Sequence, residues 1–173
     1  VPRSPSISAG VWALLAAVDE RLSLMPWVAE AKRAGGGPIE VPEVESRVLK
    51  EALASFGAAQ KKNPAAAKRR ESQVLDFYRA QIEAAKSIQL QILAIPAGPE
   101  DNPIPDLGTE LRPALLRIND RIATLLVALP AEIDPDEIVA ASREELISTD
   151  LPERNRVAIA QALIALTSPD PMP

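Results

Sequence analysis

The stretch VWALLAAVDERLSLMPWVAEAKRAGGGP, residues 11–38, decides the fold class. Within it Leu14, Val18, Arg21, Met25, Val28 and Lys32 recur at intervals of 4, 3, 4, 3 and 4, the spacing of one face of an α-helix. The helical pattern reaches from Ile7 to Ala34. Pro26 falls inside it and reads as a kink rather than a stop, because the stripe continues on both sides. Gly35-Gly36-Gly37-Pro38 ends the helix, supplying residues that tolerate a left-handed cap and then a proline.

Working outward, a second helix is expected over about Pro42–Gln60, with Val44, Val48, Leu49, Ala52 and Phe56 inward. Asn63-Pro64 resembles an N-cap followed by proline at the first helical position, opening a third helix to about Leu93. Its expected inner stripe is Leu75, Tyr78, Ile82, Ala85, Gln89 and Ile92. The four prolines of IPAGPEDNPIPDLG make 95–108 a loop, before a fourth helix over Thr109–Leu129 carrying Leu111, Leu115, Ile118, Ile122 and Leu125. Asp134-Pro135-Asp136-Glu137 caps a fifth helix to about Ser148. Asp150 with Glu153 reads as a capping box for a sixth, ending near Leu166. No strand and no internal repeat stands out. The expectation is an all-α, single-domain bundle of six helices, three of them long: a flexible leader over 1–6, a helical domain over 7–168 and a flexible tail over 169–173.

Composition narrows the chemistry. With 173 residues the chain can close a core, and only 3% are aromatic, so that core is aliphatic and alanine-rich. The sequence contains neither histidine nor cysteine, which removes disulfides, thiolate or imidazole metal sites and Cys/His nucleophile pairs. No metal and no cofactor is expected. A net charge of −5 argues against nucleic acid as a partner. The basic run Lys61-Lys62 with Lys68-Arg69-Arg70 accordingly reads as a solvated turn and helix start, and Glu43, Glu45 and Glu51 as an exposed helix face. The longest apolar run, Val11–Val18, is too short to cross a membrane. A first residue of valine leads to the expectation that a signal peptide or an expression tag has been removed.

The informative residues are polar ones on apolar stripes. Arg21 and Lys32 lie in register with Leu14, Val18, Met25 and Val28, and Gln89 with Ile82, Ala85 and Ile92. Burying an unpaired charge costs several kcal/mol or more. The cations therefore face a polar site or an anionic ligand, or else snorkel outward or pair with glutamates of neighbouring helices. Periodicity alone leaves both readings open.

The segments RLSLMPWVAEAKRAGGGPIE (21–40) and FYRAQIEAAKSIQ (77–89) resemble the exported, gamma-type chorismate mutases, all-helical proteins of bacterial periplasms and secretions. The family patterns are RL…P-V-A-x-x-K-W in the first helix, P-I-E-D-x-x-R-E into the second and Q-I-x-A-(S/T)-K-x-x-(Q/E) in the third. The resemblance covers about residues 10–125. It implies that Arg21 grips a substrate carboxylate and that Lys32 contacts a carboxylate and the ether oxygen. Gln89 would face that oxygen from the third helix, and Arg112, after a one-residue slip in the loop, would bind the second carboxylate. Four family positions are altered: Val41 for aspartate, Val44 for arginine, Val48 for a polar residue and Ala85 for Ser/Thr. Arg33 also stands where the family has tryptophan, and Arg47, one turn after Val44, is the nearest substitute cation.

The implied reaction, chorismate to prephenate, is a pericyclic rearrangement. Fixed donors stabilise charge on the breaking ether oxygen, so no histidine, metal or nucleophile is required. The altered positions imply weak or impaired turnover. The alternative is a catalytically inactive secreted relative, a pseudoenzyme or effector acting on a partner protein or a related anionic ligand. The resemblance also implies a secreted or periplasmic location and is compatible with a homodimer or a host-protein partner. The nearest carboxylates in sequence to the expected cations are Glu40, Glu43 and Glu45; one folded inward onto Lys32 or Arg112 would occupy the substrate position.

Overall fold

A computed structural model describes residues 5–38, 42–59, 70–98, 103–130 and 132–168. Its helices are α1 (Pro5–Ser23), α2 (Met25–Gly35), α3 (Pro42–Ala59), α4 (Glu71–Ala94), α5 (Arg112–Val127), α6 (Pro135–Glu145) and α7 (Glu153–Thr167). A single π-helical turn, Leu107–Leu111, leads into α5. Among the described residues there is no strand. The six expected rods are present, the first as α1 plus α2 and the fourth as the π turn plus α5. Residues 1–4, the Asn63-Pro64 cap, Lys61 to Arg69, Val41, Glu40 and the tail over 169–173 lie outside the described residues.

Helix α4 runs through the middle of the bundle, packed by α2, α3 and α7; α1 packs against α5, α6 and α4. The core is Val11, Leu14, Leu15 and Val18 of α1 with Phe77, Tyr78 and Ile88 of α4, Ile122 of α5, Ile138 of α6 and Ile159 and Leu163 of α7. The buried face of α4 lies one residue away from the expected stripe. It is Val74, Phe77, Tyr78, Gln81, Ala84, Ala85, Ile88 and Gln89, while Leu75, Ile82 and Ile92 are only half-buried. A helix packed on several sides buries a wide arc, so a narrow stripe read from sequence can be off by one position.

Three local expectations are corrected. Pro26 does not sit within one continuous helix: hydrogen bonding breaks at Leu24, and Met25–Gly35 starts afresh with the proline in its first turn. Leu24 keeps right-handed φ and ψ of −84° and −12°, so the chain bends without leaving the stripe's phase. The fourth rod starts at Leu107, because the Asp106 side chain accepts from the Thr109 N–H at 2.8 Å and caps it. Pro113 has no N–H, and the preceding amides, Leu111 to Asp106 O and Arg112 to Leu107 O, bond five residues back. Asp150 is not a helix cap: it takes a left-handed φ of 70°, and α7 starts at Glu153 after Pro152 with no side-chain cap. Glu153 pairs with Arg156 instead.

The caps of α2 and α6 match their sequence signals. Gly36 adopts φ 71°, and the Gly37 N–H reaches Lys32 O at 3.0 Å. The Asp134 side chain accepts from the Asp136 N–H at 2.9 Å.

One clasp had no sequence signal. Asp19 Oδ1 on α1 accepts from the Ile147 N–H at 3.0 Å, the Ser148 N–H at 2.8 Å and Ser148 Oγ at 2.7 Å. It thereby satisfies the backbone just past α6 across 129 residues of chain. Charge-assisted bonds of this kind contribute more than neutral ones. Asp19→Ala is expected to lower unfolding free energy by about 2–4 kcal/mol, and Asp19→Asn by less, since one acceptor oxygen survives. Urea denaturation checks this, with a displaced midpoint at unchanged slope.

Candidate functional site

Helices α1 and α2 bring Arg21 and Lys32 to α4, which carries Gln89. Lys32 sits in the last turn of α2, where the basic end of a short helix is favoured by the helix dipole. Its Nζ donates to Gln89 Oε1 on α4 at 3.1 Å. The Gln89 amide nitrogen points the other way, to the Met25 sulfur at 3.5 Å, a weak acceptor. Gln89 is buried, as its position on an apolar stripe implied. Burial holds the Lys32 ammonium below its ordinary pKa; the positive charge of Arg112 acts in the same direction, and Glu45 opposes both. Arg112 itself is exposed at the start of α5. The π turn that precedes it packs against α2.

Arg21 is 7% exposed and turns inward from α1. Its Nη1 donates a long hydrogen bond of 3.5 Å to Gln81 Oε1, and its Nε has no hydrogen-bond partner among the described residues. Burial lowers its pKa from the ordinary guanidinium value, with Tyr78 acting the other way. The Tyr78 hydroxyl is pushed up to about 12, chiefly by burial. Gln81, fully buried, is the polar residue that sequence reasoning missed; it lies on the true stripe of Phe77, Ala84 and Ile88. Eight residues separate Gln81 from Gln89, about 12 Å at 1.5 Å per residue. Arg21 and Lys32 thus address the same face of α4 two turns apart. Snorkelling to the surface is excluded for Arg21, and Lys32 is half-buried.

The altered positions have different surroundings. Val44 is 40% exposed rather than inward, whereas Ala85 is buried. Val48 is half-buried and lines a small cleft with Ala52, Tyr78, Leu116 and Asn119. Arg47 is exposed. Arg33, in place of the family's tryptophan, donates to Ile95 O at 2.9 Å and Ile92 O at 2.8 Å and pairs with Glu30. It caps the carbonyl end of α4 and so anchors α2 beside it.

Glu43 and Glu51 are exposed as expected, but Glu45 is not part of a solvated face. Its carboxylate pairs with Lys86 Nζ of α4 at 2.7 Å. That bond is the chief reason the Lys86 pKa is raised to about 12. Among the described residues no group of His, Cys, Asp or Glu is placed to hold a metal ion, and no helix is long and apolar enough to cross a membrane.

The described residues form an all-helical bundle in which a cation from α1 and one from α2 each bond a glutamine of α4. The particular fold is that of the chorismate mutases. The chain superimposes on the secreted chorismate mutase of Yersinia pestis with a TM-score of 0.71 at 21% identity, covering 87% of this chain and 94% of that one. The chorismate mutase of Burkholderia thailandensis gives 0.69 at 26% identity, covering 91% and 99%. That of Burkholderia phymatum gives 0.67 at 20% identity, covering 94% and 98%. No family model and no curated protein matches the sequence. The resemblance to the exported chorismate mutases read from the sequence is borne out in the fold.

Proposed function

We propose that this chain binds chorismate and rearranges it slowly to prephenate, and that it does so as an exported protein. The observation that carries the reading is the Lys32–Gln89 hydrogen bond, with Arg112 acting on Lys32 from the start of α5. In the rearrangement one C–O bond breaks and one C–C bond forms in a single cyclic shift of electrons. No proton moves and no covalent intermediate forms. What the protein supplies is a folded substrate conformer and positive charge at the ether oxygen. Lys32 orients the Gln89 side chain through its oxygen, leaving the amide N–H₂ to turn from the Met25 sulfur to that oxygen. Arg112 and Arg21 are the cations for the two carboxylates, Arg112 by a charged fork and Arg21 from within the bundle.

Slow turnover follows from what the wall lacks. Ala85 offers only a methyl group where the resemblance implies a hydroxyl, and Val44 offers no charge. The exposed Val44 also supports the second reading, an inactive relative whose ligand or partner meets an aliphatic surface there. Chorismate absorbance followed with the purified protein, beside calorimetric titration, separates the two. The expected result is a Kd between ~1 μM and ~1 mM with a turnover well under the enzyme median of ~10 s⁻¹. Turnover at the median would refute the impaired site, and no binding at millimolar chorismate would leave the inactive relative.

A further inference from the structure

Glu45 reaches from α3 to a cation of α4. It is on the first turns of α3, and its Oε1 lies 2.7 Å from Lys86 Nζ. Lys86 also reaches Glu83 at 3.2 Å within α4. Lys86 and Gln89 are three residues apart on α4, so their side chains are neighbours on one face. Gln89 in turn holds Lys32 at 3.1 Å. One carboxylate from α3 is therefore inserted beside a row formed by Lys86, Gln89 and Lys32.

The pair is only partly desolvated, with Lys86 at 14% and Glu45 at 30% side-chain exposure. An exposed pair would contribute little, and a fully buried one would be hard to open. Between these limits a partner can be exchanged for another anion. The influence of Glu45 on the Lys32 ammonium, opposite in sign to that of Arg112, agrees with this placement.

We propose that Glu45 is a resident competitor for the anion site: it neutralises Lys86, the neighbour of Gln89 and Lys32, and a ligand carboxylate must displace it to make Lys86 a binding cation. This specificity role rests on the reading of the site as an anion site for chorismate, and its test is built to separate the two. A dicarboxylate pays twice for the internal charge, a monocarboxylate once, so Glu45 sets a preference against the more highly charged ligand.

The experiment titrates wild-type protein, Glu45→Gln and Lys86→Gln with chorismate and with inorganic sulfate, and follows the Lys32 ammonium by NMR across alkaline pH. Glu45→Gln is expected to tighten both anions by about tenfold, the scale of one half-screened unit charge. Lys86→Gln is expected to weaken them. The Lys32 pKa should fall in Glu45→Gln, since the negative charge of Glu45 that holds it up is gone. If Glu45 were only a strut holding α3 to α4, both variants would bind more weakly; that result overturns the proposal. Tighter sulfate without any chorismate binding would uphold the role of Glu45 and overturn the chorismate reading. Chorismate binding that is unchanged in Glu45→Gln would do the reverse.

Discussion

Lys32→Ala is expected to lower any chorismate turnover by about 10²–10³-fold, the usual cost of removing one fixed donor from a developing oxyanion. The loss should exceed that of a distant surface lysine, because two things fail together. The ammonium is gone, and Gln89 loses the 3.1 Å bond that orients its amide. The pH dependence is the sharper readout. Binding needs the charged ammonium, so affinity falls as pH rises through the Lys32 pKa. Burial and Arg112 place that pKa below the ordinary lysine value, so the falling limb should begin earlier than for an ordinary lysine. Arg112→Met should move the limb upward while weakening binding at neutral pH. Lys32→Arg should remove it, since a guanidinium does not titrate in this range. A limb that stays in place when Arg112 is replaced would show that the two cations do not share a site.

Restoring the wall gives the opposite sign. Val44→Arg with Ala85→Ser is expected to raise chorismate turnover by about 10²-fold, as each change returns a donor of the type worth that much when removed. Val44 is 40% exposed, so a guanidinium can be accommodated without overpacking the core. Ala85 is buried, and the serine hydroxyl can bond to the carbonyl four residues back until a ligand engages it. A fall in the Lys32 pKa in the double variant would separate an arginine that reaches Lys32 from one lost to solvent. Turnover that stays unchanged in the double variant would mean that impairment lies elsewhere than in this wall.

The parts of the molecule that were legible from sequence are those written in local spacing. The 4-3-4-3-4 stripe of residues 14–32, the glycines 35–37 and the Asp134-Pro135 cap each act within a few residues, and each is where periodicity put it. Arg21, Lys32 and Gln89 were legible as anomalies, polar groups on apolar rows, and Gln89 with Lys32 turned out to be each other's partners. Three features were not legible. The Asp19 clasp joins residues 129 apart and leaves no periodic trace. Glu45 looks like any helix-surface acid until Lys86 is known to be opposite. Gln81 was hidden by a choice between two overlapping apolar phases on α4, which only the packing of α2, α3 and α7 around that helix resolves.

The break at Leu24 has a consequence for how such a protein can change over generations. Arg21 is mounted on α1, deep in the interior, whereas Lys32 is mounted on α2, a short rod clamped to α4 by Arg33. Because hydrogen bonding is interrupted between them, substitutions that tilt or loosen α2 need not propagate into the helix that carries the core. The mountings of Arg21 and Lys32 are thus separable parts. A lineage can redraw the short rod that carries Lys32, or let it decay, while the α1 interior that helps make the chain foldable stays as it is.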